Sequence, residues 1–203
     1  MRIEAVTSNH NPLKFVSDSR DETILKVSLD KVLKPGETVE IEMDFSVDIP
    51  HCYGKFGWHQ GIISLNRWYP LLSVLDQDGW HNYPFYIYHQ PYYSDAADYN
   101  VKLTVPQNEV VAASGSIKEE RINPDGSKTL TIQSKSPLRD FSLGVSRNFK
   151  VYSLFDDKLK INAYYIKGDE KKAEPAAGYA WQLMHYYAKR FGEYPYPEFN
   201  IVT

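Results

Sequence analysis

Apolar and polar residues alternate most cleanly across residues 38–49, TVEIEMDFSVDI. Val39, Ile41, Met43, Phe45, Val47 and Ile49 fall on one face, and Glu40, Glu42, Asp44, Ser46 and Asp48 on the other. An unbroken period of two predicts a strand with one face on a core and one in water. At about 3.3 Å per residue it would run roughly 36 Å, long for a strand. Residues 23–29 (TILKVSL) alternate in the same way, and Lys34-Pro35-Gly36-Glu37 between the two has the chemistry of a turn. Tyr99, Val101, Leu103 and Val105 repeat the pattern until Pro106 ends it, and residues 62–65, 83–88 and 110–113 read as short strands.

Two hairpins follow. SIKEERI (116–122) and SKTLTIQ (127–133) flank Asn123-Pro124-Asp125-Gly126, where Pro presets φ and Gly supplies a positive one. FKVYSLF (149–155) and LKINAYYI (159–166) are joined through Asp156-Asp157. The period then changes. From Pro175, the residues Ala177, Ala180, Trp181, Met184, Ala188 and Phe191 recur at helical spacing. Pro175 suits the first turn, Lys189 and Arg190 the last, and Gly192 the position just past the end. Phe199, Asn200, Ile201 and Val202 then open a strand.

The predicted fold is mainly β: a large antiparallel β-sandwich or sheet domain over residues 1–168, then one α-helix and a truncated strand over 169–203. The boundary is expected at the polar stretch 168–174, GDEKKAE, because strands give way there to a different architecture. The strand at 199–202 is expected to have an unpaired edge and the helical stripe to lack part of its cover. The last ten residues are therefore expected to be poorly ordered or to pair with another copy.

Composition narrows the function classes. The 203 residues are 42% hydrophobic and 14% aromatic, and the 16 Tyr favour half-buried pleated surfaces. A net charge of −3 argues against a nucleic-acid partner. Cys52 is the one cysteine, so neither an internal disulfide nor a zinc ribbon forms within the chain, and it reads as a small buried hydrophobe. No apolar run reaches about 18 residues, so no membrane segment is expected. The compartment stays open: cytoplasmic, or membrane-anchored or extracellular.

No self-contained catalytic constellation emerges. None of the six histidines is followed by Glu, so the helical H-E-x-x-H zinc motif is absent. His51/His59 and His81/His89 share an eight-residue separation but lack a companion at ligand spacing, so the pairs read as chance and no metal site is expected. His185 reads as a helix-flank side chain. Ser114-Gly115-Ser116 lacks the strand-to-helix context of a nucleophile elbow. Asp76/Asp78 and Asp95/Asp98 fit either acid–base or cation chemistry or, more simply, turns. Trp58, Trp68, Tyr69, Trp80, Tyr83, Phe85, Tyr86, Tyr88, Tyr92 and Tyr93 form either a binding surface for peptide or carbohydrate, or a core or interface; the core reading is preferred. A stand-alone β-sandwich binding module using that aromatic surface is the alternative function.

Three segments in order carry a resemblance. They are RWYPLLSVLDQDGWHNYPFY (67–86), YYSDAADYNVKLTVPQNEVVAASG (92–115) and YYAKRFGEYPYPEFNIV (186–202). Together they resemble the aminopeptidase N-like family of zinc metallopeptidases, particularly its bacterial branch, over roughly residues 22–203. The matching positions are Trp68-Tyr69-Pro70, Ser94 to Tyr99, Thr104-Val105-Pro106, 110–115 and 191–197. The resemblance implies a saddle-shaped N-terminal β domain and the opening of a catalytic domain. It implies zinc in the parent enzyme and no cofactor in this chain. It also implies peptide substrates for the parent and the remaining catalytic domain of the same chain as partner. The family's G-x-M-E-N and H-E-x-x-H segments follow the part matched here, so no catalytic residue is carried over. One substrate-binding residue is: Gln60 stands about ten residues before Pro70, where many members place a Gln or Glu that lines the pocket for the substrate's first residue. The family's second acidic position falls near Gly61-Ile62, which are not acidic.

Overall fold

The computed structural model describes residues 1–82 and 93–203. The strand expected at 83–88 lies outside the described residues, as do His89 and the aromatic residues Tyr83, Phe85, Tyr86, Tyr88 and Tyr92. The described chain is mainly β, with one helix and a C-terminal strand. Its elements begin with β1 (Arg2–Ser8), β2 (Asn11–Pro12), β3 (Lys14–Ser17), β4 (Leu25–Ser28), β5 (Glu42–Ser46), β6 (Phe56–His59), β7 (Ile62–Leu65), β8 (Leu75–Asp76) and β9 (Gly79–Trp80). They continue with β10 (Asn100–Pro106), β11 (Val110–Ala113), β12 (Ser116–Ile122), β13 (Ser127–Gln133), β14 (Leu143–Ser146), β15 (Lys150–Phe155), β16 (Lys160–Tyr165), α1 (Glu170–Phe191) and β17 (Glu198–Val202). Two compact units result.

The first unit comprises residues 1–48 and 71–94. It holds the antiparallel sheet β2-β1-β5 and the pairs β3–β4 and β8–β9. Asn9 and His10, with φ of 49° and 64°, make the two-residue turn between β1 and β2. The long alternation at 38–49 shortens to the five residues of β5. A strand is only as long as its ladder: β1 pairs from Arg2↔Ser46 to Thr7↔Glu42, and nothing extends it further. Met43 and Phe45 still face inward, so the polarity of the pattern holds.

The second unit comprises residues 49–70 and 95–203. Its sheets are β10-β13-β12, β11-β14-β7-β6 and β15-β16-β17. Both predicted hairpins form, as β12–β13 and β15–β16. The main core joins Val111 and Ala113 of β11, Leu130 and Ile132 of β13, Leu143 and Val145 of β14, and Phe141. Ile132 and Phe141 are wholly buried. All four residues of β14 are buried, so the strand shows no alternation to read.

A second core joins Leu159, Ile161 and Ala163 to Ala173 and Ala177 of α1. Small alanines let the helix lie close on the sheet. The helix starts before Pro175, at Glu170, so the polar stretch expected at the domain boundary is in fact its first turn. Lys172 N–H donates to the Asp169 carbonyl at 2.9 Å, and Gly168 N–H donates to the Glu170 carboxylate at 2.8 Å. Pro175 therefore sits in the second turn, where the bond to the Lys171 carbonyl is lost.

The terminal strand departs from expectation. β17 pairs in parallel with β16, from Lys160↔Glu198 to Tyr164↔Val202. β16–α1–β17 is a strand–helix–strand crossover, the connection that parallel pairing requires. The strand is closed on one side by this chain's own sheet and forms its edge on the other.

Candidate functional site

The predicted substrate residue, Gln60, stands with Gly61 at the tip of the β6–β7 hairpin. Their φ values, 49° and 78°, are those of a two-residue turn that follows the twist of the strands. Gln60 is exposed. The hairpin is fixed from behind, because β7 pairs with β14 through Leu65↔Leu143, Ser64↔Gly144 and Ile63↔Val145. At Gly144 a Cβ would come within 3.1 Å of the Val202 side chain, so glycine admits the end of β17 there. Ile62 packs with Tyr164, Ala112 and Phe149, and Tyr164 is the register partner of Val202. Gln60 and the C-terminal end of β17 thus lie toward the same end of the unit.

Beside β17 runs a cleft of about 300 Å³, lined by Asp140, Ser114, Ser142, Tyr194, Tyr196 and Glu198 among others. Arg67 Nε lies 3.4 Å from one oxygen of Asp140. The Tyr196 hydroxyl donates to the Pro137 carbonyl at 2.8 Å. Ser114 Oγ accepts the Ser142 N–H at 2.9 Å. This lining can hold polar groups by hydrogen bonds, and among the described residues it contains no nucleophile–base pair. Behind it, Ser153 donates to Asn162 (2.7 Å), Asn162 to Asn200 (2.8 Å) and Asn200 to the Ala113 carbonyl (2.8 Å), tying the β15–β16–β17 sheet to β11.

The other candidate residues separate. Asp76 Oδ1 lies 2.7 Å from His81 Nε2 and accepts the Asp78 N–H at 2.9 Å. The hydrogen bond from His81, then that from Asp78, holds the Asp76 carboxyl below its ordinary value. The aspartate pair is thus turn chemistry with a histidine hydrogen bond attached. Asp95 and Asp98 are exposed. The aromatic stretch divides: Trp68 and Tyr69 pack on the main core, whereas Trp58 and Trp80 are about half exposed, at 45% and 56%. Cys52 is exposed rather than buried. Its thiol donates to the Phe56 carbonyl at 3.1 Å and fills the space a Cβ on Gly57 would take. His185 does flank α1, with Nδ1 2.8 Å from the Trp181 carbonyl and Nε2 3.2 Å from Asp156 Oδ2. That contact to the β15–β16 turn had no signal in sequence spacing.

A catalytic zinc takes three protein ligands. Among the described residues no group of three or more His, Cys, Asp or Glu is brought together for a metal ion, so no zinc-dependent step is derived from them. Among the same residues no helix is long and apolar enough to cross a membrane.

No protein-family model and no curated protein match the sequence. Solved structures do share the fold. A variant of a two-domain M1 zinc metallopeptidase bound to L-arginine superposes with a TM-score of 0.67 at 20% identity. A variant of an M1 zinc metallopeptidase from Deinococcus radiodurans bound to a Tyr-Ser-Ala substrate gives 0.65 at 19%. A further M1 zinc metallopeptidase structure from Deinococcus radiodurans gives 0.60 at 19%. Each comparison covers 99% of this chain and 46% of the other, so the chain spans under half the length of the structures it matches.

Proposed function

We propose that this chain is the non-catalytic N-terminal part of a zinc metallo-aminopeptidase whose parent hydrolyses N-terminal residues from peptides. Residues 1–168 would be the N-terminal β domain and residues 169–203 the first helix and strand of the catalytic domain. The observation that carries the reading is the continuity of the fold likeness, which takes in 99% of this chain, across the strand-to-helix junction. The Trp-Tyr-Pro, Ser-Asp and Tyr-Pro-Tyr-Pro segments support it. The likeness itself is one of fold; the activity is inferred from resemblance.

In this reading β17 leads toward the zinc-binding segments, and the parent holds the zinc. The β6–β7 hairpin presents Gln60 toward the substrate's first residue, where its amide oxygen would accept a hydrogen bond from the free ammonium end. The test compares the chain alone with the chain joined to the polypeptide encoded after Thr203, both assayed on aminoacyl chromogenic substrates with added zinc. Activity only in the joined protein, abolished by a chelator, is expected. Chelator-sensitive turnover by the chain alone, or none by the joined protein, overturns the reading.

A further inference from the structure

We propose that His51 and His59 form a two-imidazole surface site for a borderline divalent cation such as Zn²⁺, Ni²⁺ or Cu²⁺, next to the tip of the β6–β7 hairpin. This site is independent of the peptidase reading. Eight residues of separation gave no reason to join the two histidines; the fold does. The Trp58 N–H donates to the Pro50 carbonyl at 2.9 Å, and a parallel bridge sets His51 beside Trp58. The His51 ring then lies 4.3 Å from the Trp58 ring and 5.8 Å, centre to centre, from that of His59, with 30° between the two imidazole planes.

That separation suits a shared ion. With metal–nitrogen bonds of about 2.0–2.1 Å, two imidazoles on one ion at a tetrahedral angle have ring centres roughly 5 Å apart, widening to about 6 Å at larger angles. The Tyr53 ring, 5.8 Å centre to centre from that of His59 and nearly perpendicular to it, borders the second ligand. His51 is exposed and His59 half-buried, so an ion and its waters can approach. Cys52 lies next in sequence to His51, but its thiol is turned to the Phe56 carbonyl. The ligand set is therefore two neutral nitrogens, with water filling the remaining positions. Such a donor set favours the imidazole-seeking ions named above and offers little to Ca²⁺ or Mg²⁺, which require oxygen.

Trp58, tilted 43° against the first ligand, is a reporter beside the site. Titration with Cu²⁺ is expected to quench part of the emission of the four tryptophans along a one-site curve with a micromolar midpoint, and Trp58→Phe should remove that part. Calorimetry with Zn²⁺ is expected to return one equivalent. His51→Ala and His59→Ala should each weaken binding at least tenfold, with His10→Ala unchanged. NMR of the unsubstituted chain supplies a second reading that needs no variant: Zn²⁺ should shift the ring protons of His51 and His59 together. Unsaturable quenching, binding by either alanine variant at the original affinity, an equal response to Mg²⁺, or ring shifts confined to other histidines would each overturn the site.

Discussion

Gly144 shows how much one hydrogen atom can decide. Gly144→Ala would bring a methyl to within 3.1 Å of Val202 Cγ2, so the end of β17 would have to give by a few tenths of an ångström. The expected cost is about 1–3 kcal/mol of stability, the usual range for overpacking, measured as a lower melting temperature. Asp18 answers to pH instead. The hydrogen bond from Lys26, and then the Arg20 N–H, lower its carboxyl to about 2. The folded value is depressed, so this contribution is present above the unfolded value near 3.8 and fades as pH falls through about 2. Lys26→Ala should move the Asp18 carboxyl titration upward in carbon-detected NMR. These roles differ in what a sequence discloses. Gln60-Gly61 is readable as a turn from glycine alone. The closeness of Gly144 to Val202, or of His51 to His59, is set by pairings between distant segments and leaves no local mark. Cys52 defeated composition because its thiol found a carbonyl at the surface instead of an apolar pocket.

Among the elements, the best-read strands were those whose partners match them in length. β10 and β13 pair over seven positions, from Asn100↔Gln133 to Pro106↔Ser127, and the alternation of β10 survives intact. Residues 38–49 carried a stronger pattern yet yielded only β5, because a hydrophobic period specifies a face and a partner specifies an extent. β14 was missed for the opposite reason: its four residues, Leu143 to Ser146, are all buried, so its small and polar positions do not mark a water-facing side. The parallel strand β17 depends on side chains as well as ladder bonds, since Asn162 and Asn200 are register partners and bond each other. Asn200→Ala leaves Asn162 and the Ala113 carbonyl without that donor and acceptor. The expected loss is about 1–3 kcal/mol. Amide exchange should rise first in Phe199 to Val202, whereas a uniform rise across the chain would mean that the ladder is only one contact among many.

For the whole molecule, the mainly β class and the turn to α1 were legible because periods of 2 and 3.6 are properties of neighbouring residues. The joining of α1 and β17 to β15 and β16 was not, since it rests on Ile161 and Ala163 meeting Ala173 and Ala177. A chain cut after Gly168 would uncover Ile161 and Ala163, both wholly buried in the 203-residue chain. It is expected to melt at a lower temperature and to bind a hydrophobic dye; an unchanged melt would show residues 169–203 to be an independent appendage. The candidate substrate residue was placed by resemblance, and the geometry puts it at the exposed tip of the β6–β7 hairpin, toward the end of the unit where β17 finishes.

The parallel pairing of β16 with β17 also sets an order of events during synthesis. β15 and β16 can zip together as soon as both have left the ribosome, but the other edge of β16 has no partner until α1 and β17 have been made. At about 5–20 residues per second that edge waits on the order of seconds. For that interval the newborn chain carries a strand ready to add any passing segment, and what guards it is the speed of translation and whatever chaperone reaches it first.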